Sequence, residues 1–334
     1  MPDERFHPPK ASEASPMTWR RFLLLSLPVS LAALAAIAET AATALDGVAP
    51  RRHDLDRVVA ALEHSRTDAP VVMMGDSVTQ DVLKTYAIAA PGTVANLTTN
   101  QASGLIGSDF LLRRYLADNA PPRLVVIAAT PEFHAYQPEG AAARMYLTSV
   151  FRRPDERQAL AQAGIAVASS WRPAALALEH RLVDPVSGLV VAVPKALPMG
   201  DADPAAIPPP ADDDAVIPEV VGRIDRRAND MPKQSVSARL ALLDLCALSQ
   251  QHGFELHLLR APVPETVRRQ RTDGWEQPLA DEIRSACPTA LLDDVNTRMT
   301  FPDGAFRDAD HLRRPGWTAL YARLLSDYLR TVKY

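Results

Sequence analysis

The chain has 334 residues, 47% of them hydrophobic, and a formal net charge of −4. That length can bury a substantial core, as one large domain or one domain with an insertion. Arginines are scattered, and neither a basic face, a zinc-finger spacing nor a basic helix is present, which argues against nucleic acid as a partner.

Residues 1–21 read as a polar, cytoplasmic N-terminal tail ending in Trp19-Arg20-Arg21. Phe22 to Ile37 then runs without a charge, and continued to Leu45 the apolar stretch reaches about the twenty residues that cross a hydrocarbon core. Arg20 and Arg21 on its N-terminal flank predict that the rest of the chain faces the periplasm or cell exterior. Two readings of 22–45 stand side by side. One is a signal anchor in the inner or cytoplasmic membrane; the other is a signal peptide processed near Ala36-Ile37-Ala38. Cys246 lies in an apolar helical pattern, where a buried free thiol is the ordinary reading. Export would permit a bridge to Cys287, but sequence does not bring the two sulfurs together.

Leu55 to Leu62 has helical spacing. Val71–Met74 is a short apolar strand that stops at Gly75 and gives way, after Asp76 and Ser77, to a short helix. Thr93–Leu97 predicts a second strand, and the polar loop Thr98–Gly104 follows it. Ser108 or Asp109 is expected to cap the helix bearing Phe110, Leu111, Leu112 and Tyr115. Leu124–Ala129 is the clearest buried strand. Strands alternating with helices predict an α/β fold over 50–334, a three-layer sandwich around a mostly parallel sheet. In such folds the loops beyond the strand carboxyl ends gather on one rim, which would collect Ser77, Asn100–Gly104 and Thr130–His134.

The middle is less regular. Ala141–Val150, Glu156–Ala168 and Ala174–Leu182 have helical character, and Ala202–Pro218 is rich in proline, alanine and aspartate. Residues 141–227 are read as a helical and proline-rich insertion, either a lid or partner-facing subdomain, or simply peripheral helices with an exposed loop. Core patterning returns with a helix over Ser235–Gln250 that Gly253 stops. A strand at Phe254–Leu259, a short helix at Leu279–Ser285 and a short strand at Leu291–Val295 follow. Pro315 opens the last helix, which carries Trp317, Leu320, Tyr321, Leu324 and Leu325.

A serine hydroxyl is a weak nucleophile until a base takes its proton, and a carboxylate can orient and stabilise that base. Ser77, at a strand-to-helix corner, suits the first role. His311 suits the second and Asp308, three residues before it, the third. No metal-ligand set and no glycine-rich phosphate cradle is evident, so no cofactor is expected.

Gly75-Asp76-Ser77 resembles the first block of the SGNH, or GDSL-like, hydrolase superfamily, and Asp308-Ala309-Asp310-His311 resembles its terminal D-x-x-H block. The resemblance spans about Val71 to Trp317, with a poorly matched middle. It implies Ser77 as nucleophile, His311 as general base and Asp308 as its orienting acid, with Asp310 in a supporting role. It also implies an oxyanion hole drawing on Ser77 and Gly104. The family's asparagine after the third strand is missing here, which leaves Asn100, Thr130 or a backbone amide to replace it. Glu132 and His134 could contact a polar substrate, although a plain loop histidine and a solvated glutamate are the simpler reading.

The apolar N-terminal segment and Pro131-Glu132-Phe133-His134 look like a divergent membrane-associated branch, with DltD-like and alginate O-acetylation proteins. That branch implies an exported serine O-acyltransferase or esterase acting on an acylated carbohydrate or other cell-envelope polymer. The acyl group could be acetyl, and a membrane-bound O-acyltransferase is the implied partner. The alternative is a noncatalytic binding or scaffolding component of a polysaccharide-modification complex.

Overall fold

The computed structural model describes residues 19–20, 22–46, 54–64, 66–139, 143–148, 150–165, 199–210, 215–230, 232–271 and 275–332. The described residues up to Asp46 form one compact unit, and those from Asp54 onward form a second. In the first unit a π-helical turn, Phe22–Ser26, precedes helix α1, Leu27–Asp46. Among the described residues no helix is long and apolar enough to cross a membrane. The apolar residues are divided between the π-turn and α1, and the second half of α1 includes Glu39, Thr40, Thr43 and Asp46. The membrane-crossing segment expected over 22–45 is therefore not supported.

The second unit begins with α2 (Asp54–His64), β1 (Val71–Gly75), α3 (Ser77–Leu83), β2 (Val94–Asn96) and α4 (Gly104–Asp118). It continues with β3 (Leu124–Ala129), α5 (Pro131–Ala135), α6 (Pro154–Gln162), α7 (Pro218–Asn229) and α8 (Val236–His252). The last elements are β4 (Glu255–Arg260), α9 (Glu265–Arg271), α10 (Gln277–Ala286), β5 (Leu291–Asp294) and α11 (Gly316–Thr331). All strand pairs are parallel, and the five strands run in the order β2-β1-β3-β4-β5.

Buried, β-branched strands with no polar alternation need cover on both faces, and the side-chain period of two sends alternate residues to opposite sides. Val72, Met74, Val125, Ile127, Leu256 and Leu258 enter one apolar cluster with α2, α4, α8 and α10. Val71, Met73, Leu124, Val126 and Leu259 enter the other with α3 and α11. The chain leaves β1 for β2 on one side and returns through β3 on the other. Such a reversal opens a crevice beyond the carboxyl end of β1, where Ser77 stands.

Several expectations shift. Helix α4 starts at Gly104, so Ser108 and Asp109 are buried inside it instead of capping it; the polar loop closes early because the Asn100 side chain caps a 3₁₀ turn, Gln101–Ser103. Helices α7 and α9 were not expected, since proline-rich surroundings masked them. They pack on each other through Val220, Ile224 and Ala228 of α7 and Val267 of α9, joined by Val263 just before α9. Described parts of 141–227 contribute Leu147, Phe151, Leu160 and Ile165 to the first apolar cluster, so these parts belong to the α/β body. The expected helix Ala174–Leu182 lies outside the described residues. Cys246 and Cys287 are joined in a disulfide with Cα atoms 5.5 Å apart, which tethers α8 to the end of α10 and replaces the expected free thiol.

Candidate active site

Ser77 owes its place to its neighbours. Gly75 ends β1 with φ +152°, a conformation open to glycine, and turns the chain away from the sheet. Asp76 then caps α3, accepting from Val78 N–H at 3.1 Å. Its other oxygen accepts from both the N–H and the hydroxyl of Thr130, each at 2.8 Å. Asp76 thus ties the rim of β1 to the rim of β3. Thr79 Oγ1 donates to Ala128 O at 2.6 Å and receives the Tyr321 hydroxyl at 3.0 Å. Gln80 Nε2 donates to Thr98 O at 3.0 Å. Residues 76, 79 and 80 are buried and tethered, while Ser77 between them remains partly exposed.

The second half of the site is a tight loop. Phe306 bridges Leu312, and Arg307 N–H donates to His311 O at 2.9 Å, with both Phe306 and Leu312 buried as anchors. Asp308 Oδ1 accepts from the N–H groups of Asp310 and His311 at 2.9 and 2.8 Å, making a local Asx-type turn. Each Asp308 oxygen also lies 3.0 Å from His311 Nδ1. The far ring nitrogen, His311 Nε2, lies 2.8 Å from Ser77 Oγ, across 234 residues of sequence. Arg307 and Arg314 both pair with Asp81, at 2.6 and 2.9 Å, and Asp81 sits one helical turn after Ser77. These half-exposed pairs add little stability singly, but they bridge the loop to α3.

Electrostatics follow from these contacts. The hydrogen bond that His311 donates to Asp308 raises the imidazole above its ordinary range, against the pull of burial. Burial works to raise Asp308, yet the hydrogen bonds from the His311 ring and from two backbone N–H groups outweigh it and hold the carboxyl low. With Nδ1–H facing Asp308, neutral His311 presents an unprotonated Nε2 to the Ser77 hydroxyl. That is the arrangement in which an imidazole removes a serine proton.

The four nominated oxyanion donors divide evenly. Thr130 spends both its N–H and its hydroxyl on Asp76, and Gly104 N–H is committed to Gln101 O. No protein acceptor is present for Ser77 N–H among the described residues. Asn100 Oδ1 accepts from Ala102 N–H at 2.9 Å, which fixes the amide and leaves its NH₂ without a partner among the described residues. Asn100 follows Thr99, whose N–H donates to Gly75 O at 2.9 Å, so it lies on the rim beside the Ser77 turn.

Glu132 and His134 fit neither the suggested substrate contact nor the simpler reading of a solvated glutamate and a plain loop histidine. Both Glu132 oxygens are held by Arg227, at 3.0 and 2.8 Å, and Arg271 adds a third bond at 2.7 Å. Burial opposes this charge, but the two arginines win and bring Glu132 down to about 2. His134 is fully buried between Phe133 and Trp275, and neither ring nitrogen has a hydrogen-bond partner among the described residues. Burial lowers its pKa to about 3, so it is neutral. Among the described residues no group of three His, Cys, Asp or Glu side chains is placed to hold a metal ion.

Arg227 was missed from sequence. It lies on α7 at the i, i+4, i+7, i+8 spacing of Val220, Ile224, Arg227 and Ala228, which places a charge on the apolar face. That pattern was the available signal. A scan of protein-family models matches no family to this chain, and no curated protein matches it either.

Proposed function

We propose that this chain is a serine enzyme that forms an acyl intermediate on Ser77 and passes the acyl group to water or to a sugar hydroxyl. The observation that carries the reading is the unbroken contact from Ser77 Oγ through the His311 ring to Asp308. In this reading His311 Nε2 takes the Ser77 proton as Oγ bonds to the acyl carbon, and the carbonyl electrons move to oxygen. Ser77 N–H and the Asn100 amide are the candidate donors to that oxyanion, in place of Gly104 and Thr130. The imidazolium then protonates the departing alcohol, and an incoming water or sugar hydroxyl reverses the steps to release the acyl group.

The substrate class, an O-acylated carbohydrate of the cell envelope with a membrane-bound O-acyltransferase as partner, follows from the resemblance of the two sequence blocks. Action outside the cytoplasm has separate support. The Cys246–Cys287 disulfide suits an oxidising compartment. The N-terminal helical run exposes Leu24, Val29, Leu31, Leu34 and Ile37 behind Arg20 and Arg21, as a segment working at a lipid surface would.

Rapid quenching of the protein with an activated acetyl ester, followed by intact mass and peptide mapping, tests the chemistry. One acetyl group on Ser77 is expected; steady turnover by the Ser77→Ala protein would exclude the covalent route. An isotopically labelled acyl donor, followed with and without a glycan acceptor, separates transfer from hydrolysis. Release of free acid alone under every acceptor condition would leave an esterase. Protease protection in membrane preparations tests the side of the membrane, and a cytoplasmic catalytic unit would overturn the proposed location.

A further inference from the structure

The base-bearing loop is held twice. From within, Asp308 accepts the N–H groups of Asp310 and His311. From outside the loop, a single guanidinium holds the two residues in between. Arg227 Nη1 donates to Ala309 O at 2.7 Å and pairs with Asp310 Oδ1 at 3.0 Å. The other edge of the same planar group engages both oxygens of Glu132, the second residue of α5 beyond β3. Arg227 is buried, and its backbone carbonyl accepts from Arg271, which also bonds Glu132 and Glu276. The Arg271 side chain is fully buried as well. Four donor contacts therefore span from the rigid rim of the sheet to the loop carrying His311.

We infer that Arg227 is a positioning residue, a clamp that registers the Asp308–His311 loop against the β3 rim and so holds His311 Nε2 within reach of Ser77. This rests on the serine-enzyme reading. The geometry favours a clamp over a general structural ion pair for two reasons. First, the contacts fall on Ala309 and Asp310, the two residues between the acid and the base. Second, only a forked, planar cation can grip a carboxylate with one edge and a carbonyl with the other. Asp310 gains a definite task as well. It is the loop's charged handle, separate from Asp308, which faces the ring. Helix α7 thereby becomes part of the catalytic apparatus, although it lies far from both sequence blocks and packs on α9 through its own apolar cluster.

The test uses the full chain and two readouts. The first is the downfield imidazole N–H signal of the His311–Asp308 bond by proton NMR in the resting protein, assigned by its loss in His311→Gln. The second is the rate of Ser77 acylation by p-nitrophenyl acetate. Arg227→Gln is expected to broaden or abolish the signal and to slow acylation about 100-fold, with KM changed by less than about two-fold, as for a reacting group misplaced by about 1 Å. Arg227→Lys, which keeps charge without the fork, should lose about 10-fold, and Asp310→Asn should lose less than Arg227→Gln because the Ala309 contact survives. Arg226→Gln, on the exposed side of α7, should match wild type in both readouts.

If Arg227→Gln does not fold, Arg227→Lys and Asp310→Asn decide the matter. A wild-type signal and wild-type rate in the folded variants would overturn the clamp. Recovery of Arg227→Ala acylation by millimolar guanidinium would support it, and equal slowing with an unaltered imidazole signal would overturn it. Failure of the wild-type protein to acylate at Ser77 would sink the enzymatic reading instead, and the NMR comparison would still report on the loop.

Discussion

Gly75→Ala is the perturbation whose cost can be worked most directly from the structure. A Cβ at Gly75 would lie 1.9 Å from Ala128 O and 2.9 Å from Ala128 C, where contacts under 3.0 Å are essentially never seen. Gly75 and Ala128 are registered partners in β1 and β3, so relief requires the strands to part by about 1 Å at the rim. Forced overpacking costs about 1–3 kcal/mol, and the φ of +152° adds about 1–3 kcal/mol for a residue with a side chain. Gly253→Ala is the internal control, because Gly253 caps α8 at φ +75° with nothing within 4 Å of the added carbon. It should lose only the left-handed strain, about 1–2 kcal/mol.

The expected difference between the two variants is about 2–3 kcal/mol, a further fall of about 4–6 °C in Tm for a unit of this size. Thermal and urea unfolding of both proteins provide the assay. Gly75→Ala should also impair acylation, because Thr130, whose N–H and hydroxyl hold Asp76, lies two residues beyond Ala128. Gly253→Ala should not. Equal losses of stability in the two variants would refute the steric reasoning and reduce Gly75 to a matter of φ alone.

Four further outcomes are expected. Asp308→Asn should lower acylation about 10²- to 10⁴-fold, the range that acid–base groups contribute. Because Asp308 raises His311, and only neutral His311 can act as base, the acid limb of kcat/KM in wild type should lie above the ordinary histidine value of about 6.5. Asp308→Asn should move that limb to lower pH; an unmoved limb would remove Asp308 from the role. The same shift has a stability consequence of fixed sign: the contribution from protonated His311 is fully present below about pH 6.5 and is lost as pH rises through the folded-state value. Finally, Cys246→Ser with Cys287→Ser should destabilise by about 4 kcal/mol at most, the loop-closure value for a separation of 41 residues. An unchanged unfolding midpoint, with and without reductant, would show that the bridge contributes nothing.

Much of the sheet was legible because its signal is local. Leu124–Ala129 is an uninterrupted apolar run, and the structure has β3 over the same residues. Val71–Met74 gains only Gly75, whose missing side chain is needed where the strand passes under Ala128. Ser235 as cap and Gly253 as terminator bounded α8 for ordinary capping reasons. The disulfide was not legible, because an apolar helical pattern accommodates a thiol or a bridge equally well. Helix α7 was obscured by the prolines around it, although its apolar stripe includes the buried Arg227. The donors at Thr130 and Gly104 were misjudged for a different reason. Sequence shows that a residue carries an N–H, but it does not show which acceptor has already taken it. Asp76 and Gln101 are those acceptors here.

The central claim is tested most directly by exposing the native protein to a fluorophosphonate and mapping the adduct by mass spectrometry. The account predicts one adduct, on Ser77, formed by folded wild type, lost on denaturation and slowed at least about 100-fold in His311→Ala. Labelling at another residue, or at Ser77 with the same rate in His311→Ala, would contradict it.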